Sequence, residues 1–189
     1  MTSLGVLTGL WVLAAGWQAG GDPMAKELDE VARVATVMMD GDLCQRIVTP
    51  RALEYMLKVN PKDRWIGSDN FDVHHEAYIR TKKTLIRLAR LVSFPCDVNL
   101  WMPLATQPPK IQILIRNSNE MSQFWPWGAL YQDMIPQMKT VLETGQRVAV
   151  TEKPGWISVL APVYNSLGDV VGLVEVVSQR QRDPRENVK

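Results

Sequence analysis

The chain has 189 residues, of which 21 are basic and 20 acidic, so its formal net charge is +1. This balance gives no general affinity for phosphate backbones or anionic membrane surfaces, and nucleic acid is therefore not an expected partner. The length suits one domain with its own core. We expect that domain over residues 22–178, with a helical part (22–92), a sheet part (97–178) and a disordered charged tail (179–189).

The first 21 residues carry no charge and contain an apolar run from Leu4 to Ala19. The run has the length of a signal-peptide core rather than of a full membrane span, and Ala19-Gly20-Gly21 provides small residues for cleavage. No Lys or Arg precedes it, which leaves open an uncleaved N-terminal anchor or a mis-assigned start codon. We expect a periplasmic or secreted protein, attached to the membrane only through this segment if it is uncleaved.

Three helices are predicted next. Asp22 followed by Pro23 is typical of a helix start, and a second helix begins in the same way at Thr49-Pro50 and ends at Asn60-Pro61. The third is predicted over Val73 to Val92, with Asp72 as its N-cap. Its spacing divides the helix into an apolar face and an opposing basic stripe, which we interpret as solvated (apolar face: His74, Ala77, Tyr78, Thr81, Leu85, Leu88, Ala89, Val92; stripe: Arg80, Lys83, Arg87, Arg90).

Five strands are predicted in the second half of the chain. Two alternating segments, Asp97 to Leu104 and Lys110 to Arg116, each combine an apolar face with a mixed face. A helical insert follows from Asn117 to Gly145, in which Ala129 to Ile135 has a helical pattern and Pro136 restarts or kinks it. Two further hairpins from Gln146 to Ser178 form an antiparallel meander. The sequence therefore predicts an α+β domain with a five-stranded antiparallel sheet.

The last strand of the meander is apolar on both faces except at Glu175. A strand of this kind belongs in the middle of a sheet that is covered on both sides. The chain also has two cysteines, Cys44 and Cys96, in no metal-binding spacing. We expect them to form one disulfide in an exported protein, and two buried free thiols are the alternative.

The order of these elements, together with the closing segment APVYNSLGDVVGLVEVV, resembles the PAS-like fold of extracytoplasmic Cache sensor domains. The resemblance covers Asp22 to Ser178 in topology and Ser158 to Val177 in sequence pattern; GAF domains share a similar closing hairpin. It implies a small-molecule pocket between one face of the sheet and the helical insert. The chain ends soon after the last strand, so we expect no output domain and a signal that passes through a partner protein.

Candidate ligand-binding residues gather around the end of the second strand. Arg116 could hold a ligand carboxylate bidentately, with aromatic side chains as walls. If the first two strands pair, the polar residues of their mixed faces share the site. The alternative is that Arg116 pairs with Glu175 or Asp133 and that the tryptophans fill the core. The predicted ligand-binding residues are Arg116, Trp101, Trp125, Trp127, Tyr131, Asn117, Asn99 and His74, with Gln112 on the same face.

The two histidines of the chain, His74 and His75, are adjacent and precede Glu76. On a helix they lie 100° apart with no second histidine four residues on, so we predict no metal site and interpret them as helix-start residues. No cofactor is predicted; non-covalent haem ligation by His74 is a minor alternative.

We also expect no enzymatic activity. Ser158 has no histidine close to it in sequence, and no nucleophile elbow, phosphate loop or dinucleotide fingerprint is present. The sequence therefore predicts an exported sensor-type domain that binds a small organic ligand and signals through a protein partner. The alternative is a ligand-free domain for protein interaction or homodimerisation.

Overall fold

The computed structural model describes residues 22–50, 53, 75–125 and 131–180. Within these ranges the chain forms one antiparallel sheet of six strands and four helices, so the predicted α+β class is confirmed. The helices are α1 (Pro23–Met38), α2 (Gly41–Gln45), α3 (Glu76–Ala89) and α4 (Pro136–Thr144). The strands are β1 (Asp97–Leu104), β2 (Lys110–Ile115), β3 (Gln132–Asp133), β4 (Val148–Val150), β5 (Trp156–Tyr164) and β6 (Val170–Gln179).

The sheet has the strand order β3-β2-β1-β6-β5-β4. The predicted meander is confirmed, because β4 pairs with β5 and β5 pairs with β6. Strand β1 lies on the other side of β6, with Asn99 directly opposite Glu175. The strand that carries Glu175 therefore occupies the middle of the sheet, as its apolar sequence predicted.

Two apolar cores cover the two faces of this sheet. On the first face, residues such as Leu100, Val159 and Val176 pack against α1, α2 and α3. On the second face, Trp101 and Leu173 pack against the insert and α4. Successive residues of a strand point to opposite faces, which is why each central strand contributes to both cores.

The predicted start of α1 is confirmed. The Asp22 carboxylate accepts a hydrogen bond from the Met24 amide at 3.1 Å, and Pro23 occupies the first helical position, where its missing N–H has no cost. Five small or aliphatic residues at helical spacing are buried on the face that contacts the sheet (Ala25, Leu28, Val31, Ala32, Ala35).

Helix α3 has the predicted amphipathic pattern but different ends. It begins at Glu76 rather than Val73, because His75 is extended and its Nδ1 accepts a hydrogen bond from the Ala77 amide at 3.3 Å. It ends at Ala89 instead of continuing to Val92. The predicted basic stripe is exposed (Arg80, Lys83, Arg87, Arg90). His75 is thus a helix-cap residue, while Asp72, Val73 and His74 lie outside the described residues.

The insert differs most from its prediction. Residues 132–133 form strand β3 at the sheet edge, where Gln132 pairs with Ile111, so the predicted helix over Ala129–Ile135 is wrong in its described part. Helix α4 begins only at Pro136, and the left-handed Gly145 (φ 68°) ends it as predicted. The sheet accordingly has six strands rather than the predicted five.

A β-bulge changes the faces of β2. Leu100 opposes Ile115, whereas Trp101 opposes Ile113, so Leu114 has no partner on β1. The extra residue turns Ile115 toward the helices, although alternation predicted it on the same face as Ile113. Gln112 opposes Met102, which lies on the first face of the sheet, against α1, α2 and α3. The predicted place of Gln112 beside Trp101, on the second face, is therefore also wrong.

Several predictions fall on residues outside the described ranges. They include the apolar leader (1–21), most of the second helix after Pro50 and the tail beyond residue 180, although β6 itself extends to Gln179. Among the helices that the structure describes, none is long and apolar enough to cross a membrane.

Candidate functional site

Arg116 follows β2 directly, after the bulge, and its guanidinium carbon lies 3.9 Å from the centre of the Trp125 ring. Stacking of this kind holds the guanidinium in a fixed orientation through the attraction between a cation and an aromatic face. The Arg116 side chain retains 31% of its accessible surface. Arg116 and Trp125 therefore lie together, and their predicted role in ligand binding stays a prediction.

The carboxylates around Arg116 differ from those that the alternative interpretation named. Among the described residues, Arg116 forms an ion pair with Glu120, whose Oε1 lies 3.8 Å from Arg116 Nη1. Charge-assisted hydrogen bonds are about 2.7–2.9 Å long, so the Glu120 carboxylate lies farther from the guanidinium than a direct acceptor would. Asp133 instead pairs with Lys110, and Glu175 is hydrogen-bonded elsewhere.

Helix α3 contributes Lys82, which bonds to Arg116, and Tyr78, which lies within range of the Arg116 charge. Tyr78 and Lys82 are four residues apart and therefore lie on the same side of the helix. The Lys82 ammonium donates a hydrogen bond to the Arg116 carbonyl oxygen. Burial lowers the pKa of Lys82; the charge of Arg116 also lowers it, whereas Asp97 and Glu120 raise it. Burial raises the pKa of Tyr78, and the charge of Arg116 opposes this shift.

These five residues form the Arg116 cluster: Arg116, Trp125, Lys82, Tyr78 and Glu120. The cluster contains two cations and one exposed carboxylate, so it has a net positive charge. An aromatic ring and a phenol accompany these charges. Such a set of groups can bind a small organic anion, with the guanidinium and ammonium holding the charge and the aromatic groups contacting the carbon skeleton.

Three predicted ligand-binding residues have structural roles instead. Trp101 is 1% exposed, and its indole N–H donates to Glu175 at 3.1 Å. Asn99 accepts from the Asn117 amide at 3.1 Å and donates to the Met121 carbonyl at 2.7 Å. The Asn117 side chain donates to the Leu85 carbonyl at 3.3 Å. The polar atoms of these three residues are thus bonded within the protein, and Asn99 holds the insert on the sheet.

Tyr131, by contrast, is partly exposed and immediately precedes β3. Trp127 and His74 lie outside the described residues, and their predicted roles, including haem ligation, stay predictions.

Glu175 of β6 is fully buried beneath the insert, and five groups donate hydrogen bonds to its carboxylate. Gln123 N (2.9 Å) and Ser158 Oγ (3.0 Å) bond to Oε1; Ser122 Oγ (2.6 Å), Trp101 Nε1 (3.1 Å) and Asn99 Nδ2 (3.5 Å) bond to Oε2. Burial raises the pKa of Glu175, and these hydrogen bonds act in the opposite direction. The sequence identified this carboxylate as exceptional but not its partners.

A second buried carboxylate, Asp97, holds the start of the insert. It accepts hydrogen bonds from the Asn119 amide nitrogen (3.3 Å), the Asn119 side chain (2.8 Å) and the Met121 amide nitrogen (2.8 Å). Between them Glu120 adopts a left-handed conformation, with φ 54°. Asp97 therefore shapes the turn that presents Glu120 to Arg116.

The cysteines do not form the predicted disulfide. Cys44 and Cys96 are both buried free thiols, the alternative that the sequence had left open. Burial raises the pKa of each thiol to about 12. In the described part of the chain, no group of three or more His, Cys, Asp or Glu side chains could hold a metal ion.

A separate cavity of about 240 Å³ lies between the end of α1, the start of α2 and α3. Its α3 residues Arg80 and Thr84 lie on the flank of the helix opposite Tyr78 and Lys82, as the 100° rotation per residue requires. The other lining residues are Met38, Met39, Asp40, Leu43 and Thr81.

The chain is thus an α+β domain in which hydrogen bonds to Glu175 join the middle strand of the sheet to the insert. A cluster of cationic and aromatic side chains lies beside the insert. A scan against protein-family models finds no match to this chain, and a search of curated proteins finds none either.

Proposed function

We propose that this chain is a sensor-type domain that binds a small organic anion at the Arg116 cluster and passes its signal to a protein partner. The observation that carries the proposal is the Arg116 guanidinium, stacked 3.9 Å from Trp125 while its carboxylate partner stays 3.8 Å away. Arginine presents a planar fork of donors that matches a carboxylate bidentately. Lys82, which bonds to the Arg116 backbone carbonyl, adds a second positive charge to the site.

The resemblance to PAS-like Cache domains supports the same proposal. That resemblance implies an N-terminal helix, an antiparallel sheet and a ligand pocket beside the helical insert. Here α1 and α3 pack on one face of an antiparallel sheet, and the insert carries Trp125 on the other. Strand β3 is an addition to the five expected strands. Export from the cytoplasm remains part of the proposal and rests on the apolar leader.

The insert also offers a route from the ligand to the sheet. Trp125 contacts Arg116, while its neighbours Ser122 and Gln123 bond directly to Glu175 in the central strand. A ligand that contacts Arg116 and the Trp125 ring would therefore be coupled to the contacts of β6. A partner protein bound to the sheet edge or to α1 could detect a change in these contacts.

A thermal-shift screen of the purified chain tests the proposal. The panel contains acetate, succinate and citrate, with methylammonium as a cationic control, because a ligand that binds only the folded state raises the melting temperature. We expect a carboxylate to raise it in the wild type but not in Arg116→Gln. The exposed Arg87→Gln serves as the matched control and should behave as the wild type.

Two outcomes would contradict this placement of the site. A shift that survives in Arg116→Gln but is lost in Thr81→Val would move the ligand to the 240 Å³ cavity, which Thr81 lines. The absence of any carboxylate-dependent shift would reject the proposed ligand class.

One observation favours the second candidate, a protein-interaction or dimerisation domain. Val37 and Met38, adjacent at the end of α1, are 76% and 58% exposed. Exposed apolar side chains next to each other are typical of contact surfaces. Light scattering of the purified chain tests this candidate: a dimer that dissociates in Val37→Ser/Met38→Ser supports it, and a monomer at all concentrations argues against self-association.

A further inference from the structure

The hydrogen bonds of the insert form a continuous path from Glu175 to the Arg116 cluster. The Ser122 hydroxyl donates to Glu175 Oε2 at 2.6 Å and accepts from the backbone amides of Phe124 (3.1 Å) and Trp125 (3.2 Å). The next contact in the path is the Trp125 ring, which lies against Arg116. The Ser122 hydroxyl group therefore links the Trp125 amide directly to Glu175.

This network matches a carboxylate and not a carboxylic acid. A carboxylate only accepts hydrogen bonds, and all five neighbours of Glu175 donate to it. The Ser122 hydroxyl has one proton and two acceptor sites, and all three are used. A proton on Oε2 would thus compete with the amides of Phe124 and Trp125 for Ser122.

A proton on the other oxygen also disturbs the hydrogen bonds around Glu175. Oε1 accepts from the Gln123 amide at 2.9 Å, and this N–H cannot reverse its direction. The neighbouring Ser158 hydroxyl already accepts from the Gln123 side chain at 2.8 Å. A proton on Oε1 therefore displaces either the Gln123 amide or the Ser158 hydroxyl as a donor, so protonation at either oxygen costs the network around Glu175 at least one hydrogen bond.

Few charges surround Glu175 in the described residues. From β1, Asn99 and Trp101 face it, and Asp97 lies two residues along the same face with its carboxylate turned to residues 119–121. From β5 the neutral Ser158 faces it, and α4 covers this side of the sheet with the apolar Met138 and Val141. Beyond the insert lie the cations of the Arg116 cluster, of which Arg116 contacts Trp125.

We propose that Glu175 is a proton-sensitive positioning residue: as a carboxylate it holds residues 122–125 so that Trp125 contacts Arg116, and its protonation releases them and weakens binding of an organic anion. The binding half of this inference rests on the proposed function. Burial raises the pKa of Glu175 above the 4.5 of an ordinary glutamate, so release begins at a higher pH than for an exposed carboxyl.

Amide hydrogen exchange of the unliganded protein tests the positioning role by itself. We expect the Gln123, Phe124 and Trp125 amides of the wild type to lose protection as the pH falls toward the pKa of Glu175, after correction for intrinsic rates. In Glu175→Gln these amides should exchange about tenfold faster at neutral pH, as for the loss of one hydrogen bond to a charged acceptor. The exposed Glu143→Gln, on α4, should match the wild type.

If Glu175→Gln fails to fold, an NMR titration of the wild-type protein tests the inference without a variant. The Glu175 carboxyl carbon and the Trp125 amide should then titrate with a common midpoint in NMR spectra. Separate midpoints, or protection that is independent of pH, would overturn the inference.

A pH series of binding completes the test. If protection titrates as expected and acetate, succinate and citrate do not bind at any pH, the proposed function fails while the positioning role stands. If one of them binds with an affinity that is independent of Glu175 protonation, the proposed function stands and the inference fails.

Discussion

Replacement of Asp97 by asparagine removes one charge with almost no change in shape. Asp97 is fully buried, and its carboxylate accepts three N–H donors, at 2.8, 2.8 and 3.3 Å. An asparagine directs its own NH₂ group at one of these donors, because only one of its terminal atoms is an acceptor. Hydrogen bonds to a charged acceptor contribute about 1.5–3 kcal/mol each, so losing one and weakening the others should cost about 2–4 kcal/mol.

Urea unfolding followed by far-UV circular dichroism measures this loss directly. The slope of the unfolding transition should stay constant while its midpoint falls. Asp169→Asn is the matched control, because Asp169 is exposed and holds only a local turn; its cost should be below about 0.5 kcal/mol. A loss below that value for Asp97→Asn as well would show that Asp97 does not hold residues 119–121, and our account of the turn would be refuted.

Three further predictions follow from the packing. Both thiols should resist iodoacetamide at pH 8 in the folded protein and react in guanidinium chloride without reductant, because burial raises each pKa to about 12; a denatured chain that takes up no label would contain the disulfide instead. Gly41→Ala should cost at least about 1–3 kcal/mol in urea unfolding, since its Cβ would lie 2.6 Å from the Tyr164 carbonyl carbon; an unchanged midpoint would contradict this close approach. The free energy of unfolding of the wild type should decrease as the pH rises above 4.5, because the raised pKa of Glu175 makes the folded protein bind the proton more tightly than the unfolded chain does. Glu175→Gln should not show this decrease, and identical pH profiles for the two proteins would contradict the prediction.

The sequence predicted the sheet well where alternation and turn residues agree. The bounds of β1, Asp97 to Leu104, are those observed, and the central position of β6 followed from its apolar faces. The helical pattern of Ala129–Ile135 was misleading because pairing with β2 at the sheet edge outweighs local propensity at Gln132 and Asp133.

The candidate site could be predicted only in part. The proximity of Arg116 and Trp125 in sequence was enough to place them together. Lys82 and Tyr78 were not identified as site residues because their approach depends on how α3 crosses the end of β2, which the helix sequence does not specify. The partners of Glu175 depend on the docking of Ser122 and Gln123, two polar residues with no periodic pattern.

The measurement that tests the central claim most directly is an NMR titration of the labelled protein with acetate, succinate and citrate. The Arg116 Nε–H and the Trp125 indole N–H, assigned through Arg116→Gln and Trp125→Phe, report on the cluster separately from the other tryptophans. Our account predicts that one of these anions shifts both signals saturably in the wild type and does not bind to Arg116→Gln. Saturable binding that leaves both signals unchanged, or that persists in Arg116→Gln, would contradict it.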